Sequence, residues 1–179
     1  MKQLLLTLFL LFTLNTSFGQ EKKNKPFFEG TFMPTVAINE YWTIDPDDEE
    51  TFLKLTGVFF RVGAGYQFGN RLLLSVNAGY DHHFPYSINA IPTYVKLRYN
   101  LWTDFEQSWF FQFSRGKMWR PSGRFSDGDY YNVGMGYEIE SDSRWKPIIK
   151  FTYHRKKING FEDNGNLESI SLGIGFRFF

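Results

Sequence analysis

Hydrophobic and polar residues alternate one by one along several stretches of the chain. In residues 169–178 the even-numbered positions are Ile, Leu, Ile, Phe and Phe, and the odd-numbered positions are Ser, Ser, Gly, Gly and Arg. Successive side chains of a β-strand point to opposite faces, whereas a helix would spread these apolar residues around its axis. The pattern therefore predicts a strand with one apolar face.

Seven other stretches show the same alternation. Clear versions span 58–68, 72–81, 94–101 and 131–140, and shorter versions span 109–113 and 149–153. The first candidate, residues 28–38, contains Pro34, which removes a ladder donor and suits a strand end or a bulge. The chain is therefore predicted to form eight strands.

Short and long connectors alternate between these strands. The short ones are "FGNR" at 68–71 and "SDSRWK" at 141–146, and the long ones are 40–55, 82–90, 117–129 and 157–166. The connector at 100–108 fits least well because it is as long as the second outer loop. Outer-membrane barrels have short periplasmic turns and longer outer loops. The predicted fold class is all-β: an eight-stranded antiparallel up-and-down transmembrane β-barrel.

The glycines indicate which face of each strand lines the barrel. An eight-stranded barrel has an interior barely wide enough for side chains, so glycine there leaves room for long charged neighbours. The polar face is therefore predicted to face the lumen and the apolar face to contact lipid. The alternative, a soluble calycin-like barrel, would crowd the aromatic side chains into one small lumen and pack poorly. Glycines on the polar face are Gly63, Gly65, Gly79, Gly134, Gly136, Gly173 and Gly175.

The N-terminus has the features of a secretory signal. Lys2 gives a short basic region, residues 4–14 an apolar core, and Ser17 and Gly19 the small residues before cleavage. We expect a signal peptide at 1–19, a polar lead-in at 20–26 and an outer-membrane β-barrel domain at 27–179. Removal of the signal peptide takes away one charge, Lys2, so the mature chain has 20 − 1 = 19 basic and 19 acidic residues and is formally neutral. It therefore lacks the net positive charge that would favour nucleic-acid binding. Absence of cysteine excludes disulfides and thiolate metal sites.

Three segments carry a family resemblance: "IPTYVKLRYNLW" at 91–102, "GDYYNVGMGYEIE" at 128–140 and "GIGFRFF" at 173–179. The chain resembles the OmpA/OmpX-type outer membrane β-barrel family, and in particular the porin-like barrel proteins of Bacteroidota. The resemblance implies a Gram-negative outer-membrane location and assembly by the barrel-assembly machinery, which recognises an alternating C-terminal strand with a terminal aromatic. The assembly signal would comprise Ile174, Phe176, Phe178 and Phe179.

Charged residues on the polar faces are predicted to pair inside the lumen. Opposite charges are nearly matched in this set, and an unpaired buried charge costs several kcal/mol. We expect a largely closed lumen, and a narrow porin-like channel is the alternative. The predicted ion-pair network contains Glu29, Arg61, Asp81, Lys96, Arg98, Glu138, Glu140, Lys150 and Arg177.

Basic residues near the outer loops are candidate contacts for lipopolysaccharide phosphates or an acidic glycan. Trp42, Trp119 and Tyr130 would pack beside them, while the acidic first loop, "DPDDEE" at 45–50, favours a merely solvated rim as the alternative. Outer-membrane lipids and lipopolysaccharide are thus the expected partners. The basic candidates are Arg115, Lys117, Arg120, Arg124, Arg155, Lys156 and Lys157.

A lipid A-modifying acyltransferase or deacylase is the less favoured alternative. Its nucleophile, base and orienting group would come from Ser87, His82 or His83, and Asp81, with His154 nearby. Adjacent strand residues point to opposite faces, however, so His82 and His83 cannot both serve one centre inside a strand. We therefore predict a non-enzymatic protein with no catalytic residues, no metal site and no cofactor.

Overall fold

The computed structural model describes residues 24–38, 53–104, 107–139, 144–159 and 165–179. The predicted signal segment at 1–19, the acidic stretch at 45–50, Trp42 and Glu140 lie outside these ranges. Within them, no helix is long and apolar enough to cross a membrane.

Eight long strands form a closed antiparallel barrel, which confirms the predicted fold class. Each long strand pairs with the next along the chain, and the first pairs with the last. A two-residue strand between the fifth and sixth long strands pairs in parallel with the start of the fourth. The strands are β1 (Lys25–Ile38), β2 (Leu53–Phe68), β3 (Leu72–His83), β4 (Ile88–Asp104), β5 (Gln107–Trp119), β6 (Phe125–Ser126), β7 (Gly128–Ile139), β8 (Trp145–Ile158) and β9 (Asn166–Phe178).

The apolar faces of the strands point outward. Phe28 and Val76 are 62% and 67% exposed, whereas their neighbours Glu29 and Asn77 are buried inside the barrel. The predicted orientation is confirmed, and the soluble alternative with its apolar face inward is wrong. We call the end with connectors 69–71, 105–106 and 140–144 the turn end, and the opposite end the loop end.

Glycines on the inner wall accommodate large lumen side chains. A Cβ atom on Gly136 would overlap the Phe110 ring, and one on Gly65 would overlap the ring of Phe27. Both rings are almost completely buried. The narrow interior is therefore filled by pairing a large side chain on one strand with a glycine on the next.

Two connectors are less than half as long as predicted. The expected long connector at 100–108 is wrong, because β4 continues to Asp104, which pairs with Gln107 at the start of β5. A register shift between Asn100 and Trp102 breaks the two-residue period there, which hid the end of the strand. The second loop is only 84–87, since the alternation continues to His83.

The first strand begins at Lys25, within the predicted lead-in, and contains Pro34. The ladder between β1 and β9 has no paired residues at Met33 and Pro34, and a register shift follows at Thr35. Pro34 therefore sits beside a bulge, as its missing N–H requires.

Candidate functional site

The lumen near the loop end is organised around Asp81. Asp81 on β3 accepts a hydrogen bond from Arg61 on β2 and forms an ion pair with Lys156 on β8, whose Nζ lies 2.5 Å from Oδ2. Lys156 Nζ is also 2.6 Å from Nε2 of His83. All four side chains are buried, so one carboxylate holds two cations from different walls of the barrel.

A chain of hydrogen bonds extends from this group to β9. Arg61 donates to the hydroxyl of Tyr130 over 3.3 Å, and that hydroxyl lies 2.8 Å from Nδ1 of His154. His154 Nε2 is 2.8 Å from the hydroxyl oxygen of Ser171. The contacts tie β2, β7, β8 and β9 together across the lumen.

A second carboxylate, Glu29, lies deeper in the barrel. Lys96 donates to its Oε1, and Lys150 interacts with it electrostatically while donating to Thr31 over 3.1 Å. Glu29 and Thr31 belong to β1, Lys96 to β4 and Lys150 to β8. Glu29 therefore forms one ion pair, with Lys96, while Lys150 is held on the same strand, β1, by its hydrogen bond to Thr31.

The third carboxylate, Glu138, also holds two cations. Oε2 of Glu138 is 2.8 Å from Arg98, and Oε1 accepts from Arg177. The guanidinium carbon of Arg98 lies 3.6 Å from the centre of the Phe110 ring. Charge pairing and cation–π contact together fill this part of the lumen.

Apolar side chains close the lumen at both ends. At the loop end, Tyr94, Met118 and Ile158 belong to one buried hydrophobic cluster. At the turn end, the rings of Phe27 and Phe179 meet edge to face, with centroids 6.3 Å apart. The charged layers are therefore enclosed by apolar contacts in the part of the chain that the structure describes.

Eight of the nine predicted lumen residues are buried in this interior, and Glu140 lies outside the described residues. The expectation of nearly matched charges is wrong for the described ranges, where seven buried cations accompany three buried carboxylates. The reason is that the alternation of inward and outward residues along β8 places two further lysines, Lys146 and Lys156, on the lumen face. The seven cations are Arg61, Lys96, Arg98, Lys146, Lys150, Lys156 and Arg177.

Lys156 and Tyr130 were expected at the outer rim, and both expectations are wrong. Lys156 and Tyr130 are fully buried in the lumen. The lipid-facing residues of β8 are 149, 151 and 153, so position 156 faces inward once the strand continues to Ile158. Continuing the alternation of inward and outward residues from His154 to the next inward position, 156, would have predicted from the sequence that Lys156 faces the lumen.

The remaining basic candidates lie on the surface. Arg155 forms an exposed ion pair with Glu168, with N–O distance 3.6 Å. Trp119 is also exposed, and its indole N–H donates to Thr93 over 2.5 Å. The other exposed basic candidates are Arg115, Lys117, Arg120, Arg124 and Lys157.

Asp81, His83 and His154 lie in one buried lumen network, but the proposed nucleophile Ser87 and the alternative base His82 lie outside it. His82 lies on the outer wall, where its Nδ1 is 2.8 Å from Oδ1 of Asn89. His83 and His154 face the lumen, and Ser87 occupies an exposed turn with φ of 50°. Among the described residues, no group of three or more His, Cys, Asp and Glu side chains is placed to hold a metal ion.

The C-terminal residues divide between the two faces. Ile174 and Phe176 are exposed on the outer wall, and the Phe178 ring lies 5.0 Å from that of Trp145. Phe179 lies against Phe27, and Lys25 Nζ is 3.4 Å from the centre of the Phe179 ring. Three of the four predicted signal residues thus share the outer surface, while Phe179 closes the turn end.

Two solved structures are similar to this fold. The crystal structure of Neisserial surface protein A (NspA) matches with TM-score 0.61 and 15% identity, over 87% of this chain and 97% of that one. The N-terminal β-barrel domain of Pseudomonas aeruginosa OprF matches with TM-score 0.51 and 12% identity, over 86% of this chain and 97% of that one. No protein-family model and no curated protein sequence matches the chain. At these identities the likeness shows the fold, which is consistent with an OmpA/OmpX-type barrel.

Proposed function

We propose that this protein is a non-enzymatic outer-membrane barrel with a closed lumen, acting in envelope structure and surface contact. The observation that carries this proposal is the filled interior. Three buried carboxylates form ion pairs there, Asp81 and Glu138 with two cations each and Glu29 with one, and apolar side chains lie at both ends of the lumen. An eight-stranded barrel has room for side chains but not for the aqueous channel of a sixteen-stranded porin.

The membrane location rests on the outer wall. Its exposed side chains are large and apolar on every long strand, and the long strands have at least 12 residues, as in β3 and β7. A transmembrane strand needs about 9–11 residues. We expect the purified protein to require detergent or lipid, and a protein that stays folded and monodisperse without either would contradict the proposal.

Conductance in planar bilayers tests the closed lumen. We expect no conductance steps from the native protein. The triple variant Arg98→Ser, Glu138→Ser and Arg177→Ser removes one whole ion-pair layer without leaving a lone buried charge, and should open a measurable path. The matched control, Arg155→Gln with Glu168→Gln, removes an exposed ion pair and should remain silent.

A narrow pore is the second candidate, because the excess of buried cations would favour anions. A conducting native protein would then show a reversal potential shifted toward that of chloride in a salt gradient. Such steps would replace the closed-lumen proposal by an anion-selective channel. Cation selectivity would contradict both proposals.

Several placements support a non-enzymatic role. His82 and His83 lie on opposite faces, and Ser87 is exposed whereas the Ser171 and His154 pair is buried. That pair is enclosed, so a substrate would have no access to it. Mass spectra of lipid A from cells with and without the protein should be identical, and a change in acylation would overturn this part of the proposal.

We also propose export through a cleaved signal peptide at 1–19, assembly by the barrel-assembly machinery, and rim contacts with lipopolysaccharide. The outward positions of Ile174, Phe176 and Phe178 support the assembly signal. On the motif resemblance alone, we propose that the chain is one of the porin-like barrels of Bacteroidota. N-terminal sequencing of the mature protein should begin at Gln20.

A further inference from the structure

A shallow furrow runs along β7 on the outer wall. At the upper level, Val133 pairs across the sheet with Phe113 on β5 and Tyr153 on β8, so a small side chain lies between two aromatic ones. One level further from the loop end, the longer Met135 side chain lies between Phe111 and Phe151, where all three side chains are about half exposed. The flanking rings form the walls of the furrow.

Basic side chains gather where the furrow reaches the loop end. Arg115 stacks over the ring of Tyr131, with its guanidinium carbon 5.5 Å from the ring centre. Arg155 and Lys157 line the same groove, which has a volume of about 430 Å³. Two acidic residues are paired across the strands with this basic group: Asp129 with Lys117 and Lys157, and Glu168 with Arg155. The group is still positive, because its four basic residues, Arg115, Lys117, Arg155 and Lys157, outnumber the two acidic ones.

We propose that this furrow binds one phosphorylated lipid of the outer leaflet, lipid A, with an acyl chain over Val133 and Met135. The phosphate would lie against Arg115, Arg155 and Lys157. This inference rests on the proposed membrane location and specifies the ligand of the basic rim.

The dimensions fit such an amphiphile. Six residues separate Tyr131 from Tyr137, which is about 20 Å at about 3.3 Å per residue. Half of a hydrocarbon core is about 15 Å thick. Tyr137 contacts Trp109, with ring centroids 5.2 Å apart, and this pair ends the furrow toward the turn end. With the strand tilt of about 35–45° of such barrels, this length spans about 15 Å along the membrane normal. The apolar length thus matches one leaflet, with a cluster of basic residues at its loop end.

The wall formed by β2 and β3 lacks this combination. Its outward residues Val62, Ala64, Val76 and Ala78 pair with one another, and on the next strands Val76 pairs with Val95 and only Ala64 pairs with an aromatic residue, Phe28 of β1. Arg120 and Arg124 lie in the connector before β6 and do not line the groove. These two regions provide matched controls for the furrow.

Native mass spectrometry of the full mature protein in phosphatidylcholine nanodiscs tests the inference. The discs contain lipid A, lipid A without its phosphates, or phosphatidylglycerol. We expect one lipid A to be retained, and the double variant Arg115→Gln with Lys157→Gln to weaken retention about 25-fold, since each basic residue near a membrane surface contributes about fivefold. Val133→Trp should block the furrow and also reduce retention.

The controls separate the furrow from general effects. Arg120→Gln with Arg124→Gln, and Val76→Trp on the opposite wall, should retain lipid A as the native protein does. Equal losses in control and furrow variants, or no loss in the furrow variants, would overturn the furrow site. Equal retention of phosphatidylglycerol or of dephosphorylated lipid A would overturn lipid A as its specific ligand. Failure of the native protein to enter nanodiscs would instead contradict the membrane location.

Discussion

Replacing Asp81 by Asn keeps the size of the side chain and removes its charge. Asp81 is fully buried and forms ion pairs with Arg61 and Lys156, both of which are also buried. In the variant, two cations face a neutral amide in an interior that water does not reach. The substitution therefore tests whether the lumen charges act as a structural unit.

The expected loss is large because the cations have no alternative carboxylate nearby among the described residues. Removing one partner of a buried ion pair costs about 3–5 kcal/mol, and here one carboxylate serves two cations. We therefore expect the free energy of unfolding of Asp81→Asn to fall by about 4 kcal/mol. The exposed pair of Arg155 and Glu168, 52% and 51% exposed, provides the contrast, because Glu168→Gln should cost only about 0–1 kcal/mol.

Equilibrium unfolding by guanidinium in detergent micelles measures both variants. Lys156→Met then completes a double-mutant cycle with Asp81→Asn, since a Met side chain can pack on Phe59, whose ring centre is 3.9 Å from Lys156 Nζ. With one cation removed, the Asp81→Asn substitution should cost at least about 1.5 kcal/mol less than in the native background.

Two results would refute this reasoning. If the free energy of unfolding of the Asp81→Asn protein were within about 1 kcal/mol of the native value, the lumen would not desolvate these charges. A coupling energy near zero would mean that Asp81 and Lys156 do not interact in the folded barrel.

Three further predictions follow from the packing of the wall and the terminus. Gly136→Val should lower stability by several kcal/mol because its side chain would overlap Phe110, whereas Gly30→Ala, with no atom within 4 Å of the new Cβ, should change unfolding by less than about 0.5 kcal/mol. Val76→Arg should cost about 2–4 kcal/mol in lipid and Val76→Leu almost nothing, if Val76 lies near the bilayer midplane; equal unfolding curves would contradict that depth. Phe176→Ser with Phe178→Ser should reduce the folded protein recovered from cell envelopes more than refolding in detergent, whereas Phe179→Ser should weaken the refolded barrel itself, because Phe179 packs on Phe27.

The sequence by itself determined the strands, their order and the face that each presents. The period of two residues is a local property, and in 169–178 it assigns every side chain to lipid or lumen without knowledge of the neighbouring strands. The same rule places Glu29, Asp81 and Glu138 inside. It failed where a register shift follows Asn100, and where the alternation of β8 was not extended to Lys156.

Only the tertiary structure decided which inward side chains meet. Arg61 contacts Tyr130, 69 residues away, and Lys150 contacts Thr31, 119 residues away, on other walls of the barrel. These partners depend on the strand stagger that closes the sheet, which is a property of all eight strands together. The alternation of single residues carries no information about that stagger. The sequence therefore specified a polar interior, and closure of the barrel determined which cations each carboxylate binds: two for Asp81, two for Glu138 and one for Glu29.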